Sequence, residues 1–456
     1  MQLEGKKILV VGLGKTGEAV CRFLLNRGAL VKISEKMTQR ELGQKFYIWS
    51  KRGAKIETGG HRRESFLEAD LIVPSPGVPP LPEYDEARKQ GIEIISEVEL
   101  AFRFLSGKIV GITGTNGKST TATLTHKILK ESGLPSFLAG NIGVPLIHFI
   151  PQDLSENIYV TELSSFQLKY VSQFQAYISV FLNISPDHMD WHSDFQDYYE
   201  SKKNLIATQT ENDRAVLNRD DNLVWKLGMK SYPHIYAFSQ KYSVDQGCYL
   251  LNDDVILSHG NKDKIMKVSE IPLLGPHNLE NVMASVIVGR LFGVSSSSIK
   301  GSIRSFTGLE HRLEKVLTWR GVDFYNDSKA TNVSATMKSL QSFRKKIVLI
   351  LGGKDKGGDF SLLRTLVKKR VKKLVLLGEA SKIIQKALGE VVPTERVTTM
   401  AEAVQRGFSA ALPSGILLLS PACASFDMFQ NFEERGEVYK KEIHALKKRL
   451  DGKRKS

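Results

Sequence analysis

The chain has 456 residues, 64 Lys+Arg against 49 Asp+Glu, a formal net charge of +15 and a pI near 9.4. Its 41% hydrophobic and 25% charged content excludes a disordered or collagen-like polymer, and no apolar run of about 18 residues offers a transmembrane helix. Cys21, Cys248 and Cys423 are too few and too scattered for a disulfide framework or zinc site. The N-terminus passes from Lys7 into a strand-like run with no signal-peptide core, so a cytoplasmic location is expected. The surplus charge is local. Residues 344–373 carry eleven basic and two acidic side chains, and residues 437–456 carry eight and three. The rest is nearly neutral, so no nucleic-acid partner is expected.

The length suggests about three domains, and short β-branched runs ending in Gly-rich turns before amphipathic stretches predict α/β architecture with parallel sheets. Residues 6–12 (KKILVVG) open the first unit, followed by Gly12, Gly14 and Gly17 in a G-x-G-x-x-G pattern. Such glycines permit a tight turn and let backbone N–H groups approach a diphosphate at a helix N-terminus. A purely structural βα turn would look the same. Glu35, near the end of the next strand, lies where a dinucleotide enzyme holds a ribose, so this loop alone predicts an NAD(P)-dependent oxidoreductase.

A second loop, Gly111-Ile-Thr-Gly-Thr-Asn-Gly-Lys-Ser-Thr-Thr121, follows the strand KIVGIT and precedes an amphipathic helix. Gly114 and Gly117 let the backbone wrap phosphates, Lys118 can neutralise them, and Ser119 or Thr120 can reach Mg²⁺. The pattern departs from the strict P-loop because residue 112 is Ile. A nucleoside triphosphate site is the reading it supports, and hydride transfer needs none. Ile109–Thr113, Tyr159–Glu162, Ile178–Asn183 and Arg214–Asn218 are expected as strands of a second sheet, and Ile347–Gly352, Leu374–Gly378 and Ile416–Ser420 as strands of a third. Leu362, Leu363, Leu366, Val367 and Val371 predict one amphipathic helix whose solvated face is Lys368, Lys369, Arg370, Lys372 and Lys373. Lys447–Arg449 and Lys453–Lys455 are expected as a solvated helix end and a frayed tail. Weak contact of these patches with anionic lipid is a further expectation. Linkers near Ser106-Gly107, and between the Ser295–Ser298 run and Gly308, divide the chain into 1–106, 107–308 and 309–456.

GTNGKST, TELSSFQL (161–168), NISPDHMD (183–190) and GPHNLENVMAS (275–285) together resemble the Mur ligases, ATP-dependent amide-forming enzymes of peptidoglycan precursor synthesis. VGLGKTG, the SPG at Ser75–Gly77, YNDSKATN (325–332) and SPACASFDMFQNFEERG (420–436) resemble the branch of that family that uses D-glutamate. The resemblance covers nearly the whole chain. It implies a Rossmann-like N-terminal domain for the UDP sugar, a central P-loop ATPase-type α/β domain, and a Rossmann-like C-terminal α/β domain for the amino acid. It also implies phosphorylation of the carboxylate of UDP-N-acetylmuramoyl-L-alanine by ATP with Mg²⁺, then attack by D-glutamate. A Mur-type ligase for another amino acid is the near alternative. A monomer is expected.

The resemblance carries roles onto particular residues. Gly114, Thr115, Asn116, Gly117, Lys118, Ser119 and Thr120, with Asn281, Arg312 and Asp327, match ATP-binding positions. Ser119, Thr120, Glu162 and His188 match metal ligands. In Tyr198-x-x-x-Lys202 the lysine matches one that becomes an N-carbamate, a carboxylate-like metal ligand, although Lys203 is adjacent. Gly14, Lys15, Thr16, Ser34, Lys36, Ser75, Gly77, Asn141 and Gln167 match the sugar-nucleotide site, with Ser-Glu-Lys at 34–36 where Asp-Thr-Arg is common. Lys329, Thr331, Lys356, Ser425 and Phe432 match the D-glutamate site, where cations and hydroxyls suit two carboxylates. Lys354 competes with Lys356 for its place. Cys423 is expected to be a small buried residue, since no step needs a thiolate.

Overall fold

The computed structural model describes residues 1–229 and 233–452, which form two compact units. The first comprises Met1–Lys267 and Glu280–Ile303, and the second Val268–Leu279 and the chain from Arg304 onward.

The first unit holds two sheets. In the smaller, five parallel strands lie in the order Lys55–Thr58, Leu30–Glu35, Lys7–Val11, Leu71–Pro74, Glu93–Ile94. The central strand is continuously apolar from Ile8 to Val11 because helices cover both faces. The larger sheet has nine strands, with Lys108–Thr113 between Ile158–Glu162 and Ile178–Phe181. Both strand runs, and Arg214–Asn218 beside them, match the sequence reading. The expectation of parallel sheets does not hold at one edge of this sheet. Gly247–Leu251, Asp254–His259 and Asn261–Lys267 extend this sheet as an antiparallel meander. Asn252 and Asp253 both take left-handed backbone (φ 46° and 71°), the conformation a two-residue hairpin turn demands.

The two sheets are joined by the helix Glu97–Phe102. The buried Glu99 carboxylate accepts the backbone N–H groups of Ser172, Gln173 and Phe174 and pairs with Arg103 at 2.8 Å. Glu97 accepts the Ile147 N–H at 2.7 Å, while its Oε2 has no hydrogen-bond partner among the described residues. Burial pushes the Glu97 carboxyl up to about 7. The folded state therefore binds this proton where the unfolded chain has released it. Its stabilising effect is complete below the unfolded value of 4.5 and is lost as pH rises through 7. Glu97→Gln is expected to remove that loss, making the protein up to about 3 kcal/mol more stable than wild type above pH 7 and no better at pH 4.5. Urea unfolding across this pH range measures it; an equal effect at both ends would contradict it.

The second unit is built on six strands in the order Glu314–Trp319, Val322–Asn326, Ile416–Leu419, Ile347–Leu351, Val371–Leu376, Thr394–Arg396. All pairings are parallel except the first hairpin. One face packs on Leu340, Leu363, Val367 and Ile384, the other on Val404, Phe408, Tyr439 and Ile443. The single helix expected across 362–373 is instead a 3₁₀ turn (Phe360–Leu363), a helix (Arg364–Arg370) and then a strand from Val371. Val371 pairs with Ile347, and the ladder it begins, Leu374-Val-Leu376, outweighs helical continuation. The stretch after the serine run is also not a linker: Ser296–Arg304 is helical, and the Ser295 hydroxyl accepts the Ser298 N–H at its start. Lys447–Arg449 lie in the last turns of Phe432–Gly452, and Lys453–Lys455 lie outside the described residues.

Candidate active site

The first glycine loop sits between Lys7–Val11 and the helix Lys15–Asn26. Gly17 lies so close to the strand end that a Cβ would fall 2.1 Å from the Gly12 carbonyl oxygen. Gly12 takes φ 86°, and its carbonyl accepts the Ser75 hydroxyl at 2.8 Å. Glu35 accepts the Leu13 N–H at 2.6 Å and the Met37 N–H at 3.1 Å, so its carboxylate braces the loop. Gly14, Lys15, Lys36 and Gly77 are exposed and Thr16 half-buried around it. Ser34 departs from the expectation of a ligand contact: it is fully buried, its hydroxyl held by Glu57 at 2.6 Å and His61 at 2.8 Å. Ser75 is likewise spent on the loop's own carbonyl.

The second loop leaves Lys108–Thr113 and enters the helix Lys118–Glu131. It is clamped from below. Asn183 accepts the Asn116 N–H and donates to the Asn116 carbonyl, and Asn183 O accepts the Thr115 N–H. The Thr115 hydroxyl bonds the Ser185 carbonyl at 3.0 Å and the Tyr198 hydroxyl at 2.9 Å. Gly114 and Gly117 have φ 151° and 92°. Ser119 and Thr120 are buried at the helix start, where backbone N–H groups converge. An Ala at 117 would put its Cβ 2.3 Å from Asn281 Oδ1. Gly117→Ala is expected to raise the KM for ATP at least about tenfold. Gly133→Ala, with a similar φ of 80° and open space around it, bears only the backbone cost of about 1–2 kcal/mol and leaves that KM in place. Equal effects of the two substitutions would refute the steric argument.

Two lysines meet at one carbonyl. Lys118 Nζ donates to the carbonyls of Gly114 and Thr115, both at 2.9 Å, and Lys202 Nζ reaches the same Gly114 carbonyl at 3.0 Å. Lys202 is buried, with Tyr198's ring 4.7 Å from its ammonium nitrogen. Burial above all, and then the neighbouring Lys118, holds Lys202 well below the usual lysine range. Lys203 turns outward to Glu200 at 3.0 Å, so only Lys202 faces the loop. Glu162, buried at the end of Ile158–Glu162, accepts the Asn141 amide at 2.9 Å. His188 takes φ 57° and packs its ring edge on Phe166. Gln167 closes a capping box with Ser164, so its carbonyl oxygen is committed locally.

One arrangement here escaped the sequence reading. Ser165, His192 and Asp197 form a chain, the first two buried and Asp197 half-buried, with His192 Nε2 2.9 Å from the Ser165 hydroxyl and Nδ1 2.8 Å from Asp197. It ties the turn after Glu162 to the helix Phe195–Ala207 that carries Lys202. No motif spacing marks it, because the three residues meet only through the fold.

In the second unit, the residues after Val322–Asn326 and after Ile416–Leu419 meet at the carboxyl ends of their strands. Lys329 Nζ lies 3.6 Å from the centre of the Phe432 ring, and the Ser328 hydroxyl donates to the Phe432 carbonyl. Ser425 is buried, Thr331 is half-buried and Lys356 is exposed. Lys354 is tied through its backbone to Ala424, which leaves Lys356 on the open part of its loop. Arg435, unnoticed in the sequence, is buried and donates to the carbonyls of Ser328, Cys423 and Ala424 and to the Ser328 hydroxyl. Burial lowers its guanidinium to about 10, which leaves it charged at neutral pH. Asp327 departs from the expected ribose contact. Its buried carboxylate accepts the hydroxyls of Ser339 and Ser420 and the Leu313 N–H, and so fixes the backbone beside Arg312. Burial pushes it up to about 6. Cys423 is buried, with its thiol pushed up to about 12 by burial.

Three family models match the chain in order. Residues 6–96 match the Mur ligase MurD-like N-terminal domain, 112–289 the Mur ligase middle domain, and 311–423 the Mur ligase glutamate ligase domain. The UDP-N-acetylmuramoylalanine–D-glutamate ligase of Acidobacterium capsulatum is 43% identical over 444 residues, 96% of either chain. The enzyme of the same name from Geotalea uraniireducens is 42% identical, covering 98% of this chain and 99% of its own. Among solved structures, a pseudomurein peptide ligase type C from Methanothermus fervidus superposes with a TM-score of 0.60 at 20% identity, over 97% of this chain and 100% of its own. The UDP-N-acetylmuramate–alanine ligase of Thermotoga maritima gives 0.59 at 16% identity, again over 97% and 100%.

Proposed function

The chain belongs to the Mur ligase family, and from that premise we propose that it joins D-glutamate to UDP-N-acetylmuramoyl-L-alanine using ATP, a step of peptidoglycan precursor synthesis. The observation that carries this reading is full-length identity of 41–43% with relatives bearing that activity in their names. A carboxylate is a poor acylating agent because its leaving group would be oxide. Transfer of the γ-phosphoryl group gives an acyl phosphate and ADP. The D-glutamate amine then adds to the acyl carbon, and the tetrahedral adduct collapses with release of phosphate, leaving an amide.

We assign residues 1–106 to the sugar nucleotide, 107–308 to ATP and 309–456 to the amino acid. Lys118, whose Nζ donates to two carbonyls of its own loop, is assigned to the β/γ-phosphates. Asn281 closes over Gly117, and both Asn281 and Arg312 are assigned to the nucleotide. The donor set at the loop suits Mg²⁺: buried Ser119 and Thr120 hydroxyls and the Glu162 carboxylate are hard oxygen ligands, and His188 is assigned as a further ligand. Bound there, Mg²⁺ would offset the charge of the phosphates. Burial and the neighbouring Lys118 weaken the hold of Lys202 on its proton, which favours the free lone pair that reaction with CO₂ requires, and its carbamate would supply a further oxygen ligand. Lys329, Thr331, Lys356, Ser425 and Phe432 are assigned to D-glutamate. Lys15, Thr16, Lys36, Gly77, Asn141 and Gln167 are assigned to the UDP sugar.

An oxidoreductase reading rested on Gly12–Gly17 and Glu35. Glu35 is instead engaged by the amides of Leu13 and Met37. Phosphate release should require ATP, UDP-N-acetylmuramoyl-L-alanine and D-glutamate together. In a panel of amino acids D-glutamate should be incorporated fastest; an inert D-glutamate beside a rapid competitor would overturn the specificity.

A further inference from the structure

The two basic stretches separated in sequence converge on one end of the second unit. Its parallel register sets Ile347 beside both Ile416 and Val371, and Asp323 beside Ile416, so residues preceding these positions share one end of the sheet. Arg344, Lys345 and Lys346 precede the first strand, and Lys368–Arg370 close the helix that precedes Val371. Lys346 Nζ donates to the Lys369 carbonyl at 3.2 Å, which brings the two groups into contact. The helix Phe432–Gly452 ends here as well, because Arg320, in the hairpin turn before Val322, holds the Leu450 carbonyl at 3.2 Å and Asp451 at 3.1 Å. Lys448 and Arg449 are therefore on the same end.

Charge on this end is largely uncompensated. Asp323 is shared by Lys315 and Lys345, and Asp451 pairs with Arg320. Arg344, Lys369, Arg370, Lys372 and Lys448 are exposed or half-exposed and have no ion-pair partner among the described residues. Leu412, in the turn leading to Ile416, is 37% exposed at the same end. The residues assigned to D-glutamate follow the opposite, carboxyl ends of the strands.

We propose that this basic end is a docking surface for an anionic lipid bilayer. Lysines and arginines gathered at one end of the sheet, with an exposed aliphatic side chain at the same end, suit a headgroup plane. Single-stranded nucleic acid would call for exposed rings to stack bases, and among the described residues the large exposed aromatics, Tyr47, Tyr242 and Phe426, all lie elsewhere. Docking by this end leaves the carboxyl ends of the strands turned away from the membrane.

The test is sedimentation of the full chain with phosphatidylcholine vesicles, with and without about 30% phosphatidylglycerol, at about 50 mM salt and again at about 0.5 M. Binding is expected only to the anionic vesicles and only at low salt. K369E/R370E/K372E should weaken it at least roughly tenfold, and R344E/K448E, from the other contributing segments, should weaken it as well. K51E/K89E, which changes exposed lysines of the first unit, should leave it intact, and all variants should keep wild-type ligation in solution. No sedimentation at low salt, binding insensitive to both end-face variants, or tighter binding to single-stranded DNA than to vesicles at equal salt would each overturn the proposal.

Discussion

Lys202→Ala is expected to lower ligation by about a hundredfold or more, the scale set by losses of groups supporting a metal site, while leaving the unfolding midpoint nearly unchanged or raised. The expectation follows from where the amine sits. Lys202 is fully enclosed, its Nζ 3.0 Å from the Gly114 carbonyl and 3.4 Å from the Thr113 hydroxyl. A second lysine reaches the same carbonyl, so burial first and then the neighbouring cation disfavour the charged form of Lys202. A lysine whose charge is penalised by burial adds little net stability, so a loss of activity without a lowered midpoint separates function from unfolding. If the amine carries a carbamate, short carboxylic acids should restore part of the activity of the alanine variant. In the wild type, ¹³C-labelled bicarbonate should give a carbamate resonance that Lys202→Ala lacks. Wild-type turnover in the variant would remove the carbamate role altogether.

The second large effect is expected at Arg435. Arg435→Ala should destabilise the second unit by about 3–5 kcal/mol, since it strips donors from three buried carbonyls and opens a cavity the size of a guanidinium. Two of those carbonyls belong to Cys423 and Ala424, directly before Ser425, and the third to Ser328, directly before Lys329. A single side chain thus fixes the two segments assigned to D-glutamate. Arg435→Lys should recover part of the stability but not the spacing, because one ammonium cannot span the same set of acceptors. The KM for D-glutamate should then rise in the lysine variant while the KM for ATP holds. Equal shifts in both constants would indicate a loss of folding rather than of positioning.

The central strands of the three sheets and the two glycine loops were legible from sequence because each is a local event. A β-branched run, a glycine where φ must be positive, and a helix start fall within about fifteen consecutive residues. GTNGKST, with its strand before and helix after, needed no tertiary information. The antiparallel meander at 247–267 was missed because its edge strands carry mixed polar residues such as Asn261-Lys-Asp-Lys264, without clean alternation. The helix expected through 362–373 broke at Val371 for a nonlocal reason, the open edge offered by Ile347–Leu351.

At the site the division is similar. Sequence order named Glu162, His188, Lys202 and the glutamate-binding positions by their likeness to family motifs, and set nearly all the surplus charge in two stretches. It did not show that Ser34 and Asp327 turn inward, because a serine or aspartate in a motif looks the same whether it faces a ligand or braces the backbone. It did not show the Ser165–His192–Asp197 chain, the four bonds of Arg435, or the meeting of Lys346 with Lys369. Those depend on which strand ends lie level in a sheet, and parallel register sets that through contacts between residues dozens of positions apart. Composition fixed how much positive charge the protein carries; the register of the third sheet decided that two distant basic runs form one surface.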